Sequence, residues 1–299
     1  MYLNTLDVTL TPRTKTDTYN LKINSSTVGI LSLILEFKVA ASWHISRFLT
    51  QKDQSKYVYV KLRRMWQAGL LESFKVYSGT MSGVPVFYML SKAGLKVLAE
   101  QGHYEVGQLK TYPHAKTLLS WGLFKHEAQV IELASLEVKN TSNTLQISCT
   151  GEMSSQATEE LSNKIIEALT PDYTVLYQVG ETNYCVYTEF ERTQKSKDAI
   201  LRKIERYTRY LSFEQRQAAT VRFIFQTPSM EKSFWSNVAS NQPVFLQSLR
   251  ILTTNLTLLS EHTQFLGPLY ISAKNGPVGD TTQRIKLFAF LWLPYTSKN

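Results

Sequence analysis

The chain has 299 residues, 43% of them hydrophobic and 19% charged, a globular balance on a length that calls for two domains. Its formal net charge of +9 favours a polyanionic partner. Two cysteines, Cys149 and Cys185, stand far apart with no CxxC, which excludes a cysteine-rich zinc site and a disulfide framework and suits a reducing cytoplasm.

Residues 1–26 are polar and threonine-rich and read as an N-terminal arm. No basic region followed by an apolar run opens the chain, so no signal peptide is expected. The longest apolar stretches, 28–35 and 287–294, are too short to span a bilayer, and no membrane partner is expected. From Thr27 the texture changes. Residues 28–38 predict an apolar helix, and Ser42 caps a second that carries Trp43, Ile45, Phe48 and Leu49 on one side. Asp53 to Ser55 opens a third, running to about Leu70. Two alternating stretches, 72–78 and 85–90, flank a Gly79–Gly83 tip and predict a hairpin. Ser91 caps a further helix over 92–101. This order over 27–112 is that of a winged helix-turn-helix, whose third helix enters the major groove.

Gly102, Gly107 and Pro113 mark a linker. Beyond it, over 113–299, the pattern predicts helix 114–138, strand 144–149, helix 157–169, a hairpin from 173–179 and 184–190, helix 194–211 and strand 220–226. Further strands are expected at 266–272 and 285–293, with weaker helical signals over 229–259. The fold class is therefore α/β (α+β): a mixed sheet flanked by helices behind the N-terminal module.

The hairpin carries the chemistry. Asp172 stands at the mouth of its first strand, after Pro171, and Glu189 and Glu191 at the end of its second. Residues two apart on a strand share a face. Three carboxylates brought together repel one another, and a hard divalent cation such as Mg²⁺ or Mn²⁺ relieves the repulsion. A cation there can activate water for phosphodiester cleavage. Asp172, Glu189 and Glu191 are the expected metal ligands. The following helix is strongly basic. Arg202 and Arg206 offer a phosphate-binding side, while Lys203 and Tyr207 share another face near the acids.

These residues resemble the PD-(D/E)xK, or restriction-endonuclease-like, nuclease superfamily: Asp172 matches the first acid and Glu189 the second. Glu191 stands where that motif asks for lysine, and Lys203 follows one helix on. The Glu-x-Glu-Arg run followed by Lys203 and Tyr207 is similar to the replication-relaxation family of plasmid proteins, related to MobC-type conjugative relaxases. The resemblance spans about residues 27–227. It implies a catalytic set of Asp172, Glu189, Glu191 and Lys203, a histidine near the centre at His126, and an additional acid from an upstream helix at Glu167, with Tyr207 a further candidate.

The third helix of the first domain holds Lys56, Lys61, Arg63 and Arg64, with Tyr57 and Tyr59 at its start and no acid between Gln54 and Leu71. Such a face suits phosphates and base edges. The five histidines form no His-hydrophobic-His triplet, and GxxxxGK[ST], GxSxG and HExxH are absent. The expectation is a cytoplasmic protein that binds double- or single-stranded DNA and nicks it at an origin, with replication or relaxosome partners and a homodimer left open. The alternative is a non-catalytic DNA-binding regulator with a degenerate nuclease fold.

Overall fold

In the computed structural model the described residues are 8–13, 20–78, 85–102, 104, 106–141, 145–154, 169–211, 219–239, 250–261, 268–272 and 285–286. The chain divides into two compact units, Met1–Lys139 and Asn140–Asn299.

The first unit is built on α1 (Ser25–Phe37), β2 (Ala40–Ala41), α2 (Ser42–Thr50), α3 (Lys56–Gln67), the strands β3 (Leu71–Ser78) and β4 (Val86–Leu90), and α4 (Lys92–Glu100). Asn24 caps α1 by accepting the Thr27 N–H at 3.0 Å, and Ile30, Leu31, Ile34 and Leu35 bury its apolar face. The expected order of helices and hairpin is present. The Gly79–Gly83 tip lies outside the described residues. The cap of α2 differs from expectation. Ala41, not Ser42, is the capping residue, and its N–H donates to Nδ1 of His44 at 3.0 Å. The arm also differs: Val8–Pro12 forms β1, which pairs antiparallel with β3 from Val8↔Ser78 to Pro12↔Phe74. The antiparallel sheet runs β1-β3-β4-β2.

The junction lies at 139/140, whereas the linker signals point to 112/113. The segment 102–113 contains a short helix, α5 (Val106–Lys110), and the predicted helix 114–138 is split into α6 (Ala115–Leu118) and α7 (Trp121–Thr141). Packing explains why the long helix goes with the first unit. Phe124 stacks edge-on against Phe74 and Phe87, at centroid distances of 5.5 and 5.1 Å. Glu132 is bound by Trp43 Nε1 at 3.0 Å, His44 Nε2 at 2.8 Å and Arg47 Nη1 at 3.0 Å. Because His44 Nδ1 accepts the Ala41 N–H, Nε2 carries the proton and donates to Glu132. Burial keeps His44 neutral, lowering its pKa against the pull of Glu132. Burial works to raise Glu132, but its contacts with His44, Arg47 and Trp43 outweigh that and hold it well below the usual carboxylate range.

The second unit is a seven-stranded mixed sheet in the order β11-β10-β9-β8-β7-β6-β5. Strands β5 (Gln146–Gly151), β6 (Tyr173–Val179) and β7 (Thr182–Glu191) form an antiparallel meander. The β6–β7 turn is tighter than predicted: only Gly180, at φ +59°, and Glu181 lie outside the ladder, and Val179 already pairs with Thr182. Helix α8 (Lys197–Leu211) then crosses to β8 (Thr220–Phe225), parallel to β7, and α9 (Pro228–Ala239) crosses to β9 (Ile251–Asn255), parallel to β8. Helix α10 (Leu256–Glu261) and strands β10 (Pro268–Ser272) and β11 (Ile285–Lys286) follow. The helix expected over 157–169 falls almost wholly outside the described residues, as does residue 287 onward.

Strand β9 lies within the stretch 229–259, where the sequence carries weak helical signals. Thr253 and Asn255 are buried because α9 supplies their partner: Glu231 accepts from Thr253 Oγ1 at 2.8 Å and Asn255 Nδ2 at 2.6 Å. Polar residues sit in a central strand once their hydrogen bonds are met.

A Cβ added to Gly94, at the start of α4, would run into the Leu70 carbonyl oxygen, whereas one on Gly29 in α1 meets nothing within 4 Å. Gly94→Ala should therefore lower stability by about 2 kcal/mol through forced displacement of backbone, and Gly29→Ala should raise it by a few tenths to about 1 kcal/mol through helix propensity. Thermal melting of the two variants checks the opposite signs.

Candidate functional site

Strand β7 alternates between two environments. Val186, Thr188 and Phe190 face one side of the sheet, and Tyr187, Glu189 and Glu191 face the side covered by α8, where Phe223 and Phe225 of the neighbouring β8 also point. Two acids are thereby committed to a buried face. Glu189 is 5% and Glu191 7% exposed, and burial of unpaired charge is costly.

Helix α8 supplies the partners. Lys203 Nζ lies 2.8 Å from Glu189 Oε2 and 2.7 Å from Glu191 Oε1, bridging both. Tyr207, one turn on, donates its hydroxyl to Glu189 Oε1 at 2.6 Å. Asp172, just ahead of β6, accepts the Phe190 N–H at Oδ2, 2.6 Å away. The first acid is thus fixed by the backbone of the residue between the two glutamates. Asp172, Glu189, Glu191, Lys203 and Tyr207 come together as the sequence spacing suggested.

One ammonium faces two carboxylates, Glu189 and Glu191, and the charge of Asp172 acts on Glu189. Burial, opposed by Lys203 and reinforced by the charge of Asp172, pushes Glu189 from 4.5 up to about 7. Burial works against charge on Lys203, but Glu189 and Glu191 outweigh it and raise its pKa, so it stays protonated. Burial and then Glu189 raise the Tyr207 phenol, which remains a hydrogen-bond donor.

Among the described residues no three His, Cys, Asp or Glu side chains are grouped to hold a metal ion. The expected ligand trio Asp172, Glu189 and Glu191 is therefore not gathered into one set; Asp172 and Glu189 are the carboxylates whose hard oxygens could serve Mg²⁺ or Mn²⁺. Glu191 is held by Lys203.

The remaining candidates divide. His126 lies on α7 of the first unit, not in the unit that holds the carboxylates. Glu167 lies outside the described residues. On α8, Arg202 is exposed and Arg206 half-buried. On α3, Lys56, Tyr57, Arg63 and Arg64 are exposed, with Tyr57 at 57% and Tyr59 at 55%. Lys61 is half-buried and donates to the Asn24 cap at 3.2 Å. Sequence reasoning missed Arg222. It is fully buried on the opposite face of β8, donating to Thr188 Oγ1 at 2.8 Å and to the Tyr173 hydroxyl at 3.1 Å. An arginine inside the otherwise apolar Thr220–Phe225 strand was the available signal.

The sequence pattern of the replication-relaxation family matches residues 31–224. The chain belongs to the replication-relaxation family. Membership points to a role in plasmid replication or mobilisation. The family match takes in α3, the three carboxylates, Lys203 and Tyr207, and ends within β8, ahead of α9. Neither a curated protein nor a solved structure matches the chain. Among the described residues of this replication-relaxation protein, no helix is long and apolar enough to cross a membrane.

The raised Glu189 has a consequence for stability. The folded chain binds this proton more tightly than the unfolded chain does. Its contribution is full below pH 4.5 and is lost as pH rises through about 7. Glu189→Gln should abolish that loss. Between about pH 5 and about pH 8 the wild type should lose on the order of 2 kcal/mol more unfolding free energy than the variant, measured by urea denaturation at the two pH values.

Proposed function

We propose that this replication-relaxation protein binds DNA through its first unit and cleaves one strand with Mg²⁺ or Mn²⁺ through its second. The observation that carries the reading is the convergence of Asp172, Glu189, Glu191 and Lys203 at the ends of β6 and β7 beneath α8. The meander followed by a helical crossover to a parallel strand is consistent with a restriction-endonuclease-like domain. In this reading Asp172 and Glu189 hold the cation. When bound, it would activate water and offset charge growing on the phosphorus oxygens.

The chain's own groups do the rest. Tyr207 fixes the orientation of Glu189 through Oε1. Glu191 takes the place of the motif lysine and keeps the Lys203 ammonium at the carboxylate cluster. Lys203 then supplies positive charge where a non-bridging phosphate oxygen becomes more negative. Arg202, on the exposed side of the same helix, suits the flanking phosphates. In the first unit, the order of helices and hairpin supports a winged helix, with Lys56, Tyr57, Arg63 and Arg64 of α3 as its DNA-facing side.

One observation favours the second reading, a non-catalytic DNA-binding regulator. Glu189 has both oxygens engaged within the chain, by Lys203 and Tyr207. Nicking of supercoiled plasmid separates the two. The wild type should relax the plasmid only with Mg²⁺ or Mn²⁺. Asp172→Ala and Glu189→Ala should be inactive, and Lys203→Ala slower by a factor on the order of 10² with DNA binding retained. Wild type that leaves plasmid supercoiled at every divalent-ion concentration, while still binding it, would establish the regulator instead.

A further inference from the structure

The strand formed by the N-terminal arm brings a cation to the side of α3. Arg13 directly follows β1, and its N–H donates to the Ser73 carbonyl at 2.9 Å, continuing the β1–β3 ladder by one residue. Ser73 in turn stands opposite Tyr88 of β4, so Arg13, Ser73 and Tyr88 form one row across three strands and share a face of the sheet. The small side chain of Ser73 separates the other two, and the Arg13 guanidinium donates to the Tyr88 hydroxyl. The guanidinium carbon also lies 4.3 Å from the ring centroid of Trp66 on α3, a cation–π contact. Tyr59, Arg63 and Trp66 are spaced by four and three residues, so they share one side of α3. Arg13 therefore stands beside the ridge that holds Tyr59 and Arg63, and all three act electrostatically on the Tyr88 hydroxyl.

Every group that holds Arg13 is neutral. Trp66 offers a ring face and Ser73 a carbonyl. Burial raises the Tyr88 phenol and keeps it protonated, against the opposing charge of Arg13. Among the described residues no carboxylate pairs with Arg13. A guanidinium stacked on a ring keeps in-plane N–H groups for further acceptors. Arg13 is thus fixed in position, half-buried, with its charge uncompensated. Lys75, two residues along β3 from Ser73, lies on the same face and extends it along the sheet.

We propose that Arg13 binds the phosphate backbone of duplex DNA, and that β1 makes the N-terminal arm part of the DNA interface. The proposal rests on the reading of α3 as the DNA-facing helix and adds a second element to that surface. A helix seated in a major groove about 12 Å wide has its two sides against the phosphate walls. Arg13 is held at one such side, so it meets phosphate oxygens, which accept two parallel N–H groups from a guanidinium. Its contacts with Trp66 and Tyr88 already restrict the side chain, which reduces the ordering cost of binding. The family match begins at residue 31, so Arg13 and all of β1 lie ahead of it. The contact would belong to this chain's own extension of the fold.

The test measures binding of the full-length protein to a short random-sequence duplex by fluorescence anisotropy over a series of NaCl concentrations. Wild type, Arg13→Gln, Arg13→Lys and Lys96→Gln are compared after thermal melting. Lys96, paired with Glu100 on α4, controls for net charge alone. Arg13→Gln should weaken binding and reduce the slope of log K against log salt by about 0.9, the value for one phosphate contact. Arg13→Lys, which keeps the charge, should retain most of the slope, and Lys96→Gln should match wild type. Three results overturn the proposal: an Arg13→Gln slope equal to that of wild type, an equal loss of slope in Lys96→Gln, or a loss of slope in Arg13→Lys as large as in Arg13→Gln. The first of these, with wild type still binding, leaves α3 as the DNA-facing helix and removes only Arg13. Wild type that fails to bind the duplex at low salt removes the reading of α3 and the proposal together.

Discussion

Two glutamates separated by one residue on a strand must share a face, and in this chain that face is the buried one. Everything around the site follows from the need to satisfy them. The strand ladder fixes Glu189 beside Phe223 and Glu191 beside Phe225, so neither acid can turn to solvent. Helix α8 answers with Lys203 and Tyr207 at a spacing of four residues, one helical turn, from a single face. Removing either partner would leave a buried carboxylate exposed to the full cost of desolvation. The arrangement still leaves more negative than positive charge, because Asp172 is held close by the Phe190 amide. Burial first, and the charge of Asp172 with it, raises Glu189; in the proposed reading a divalent cation would offset that surplus and connect a packing problem to phosphodiester chemistry.

The first unit solves a similar problem to a structural end. Glu132 of the long helix α7 is bound by Trp43, His44 and Arg47 of α2, and His44 in turn caps its own helix through Ala41. The network closes on a neutral imidazole, and nothing in it resembles the surplus charge at Glu189. Together with Phe124 against Phe74 and Phe87, it makes a helix that follows a linker-like sequence part of the earlier unit.

Local signals carried much of this. The helix-hairpin order of the first unit, the acid-bearing hairpin and the basic helix after it were legible because their periodicities are unmixed and their turns hold Gly and Asn. The site residues were legible because strand alternation and helical spacing both act over a few residues. What escaped depends on distant partners. Strand β9 looks polar until Glu231 of α9 is placed against Thr253 and Asn255. The edge strand β1 lies in a threonine-rich arm and acquires structure only by pairing with β3. The unit boundary follows Phe124 and Glu132 rather than Gly107 and Pro113.

The central claim is that the excess carboxylate charge at Asp172 and Glu189 is a cation site. Isothermal titration of the full-length protein with Mn²⁺ near neutral pH tests it without requiring a DNA substrate. The account predicts a saturable site for one ion per chain that disappears in Asp172→Ala and in Glu189→Gln. Because a protonated Glu189 must give up its proton to ligate, binding should also release protons and tighten as pH rises through about 7. Absence of Mn²⁺ binding to the wild type, or binding that persists unchanged in both variants, would contradict the account.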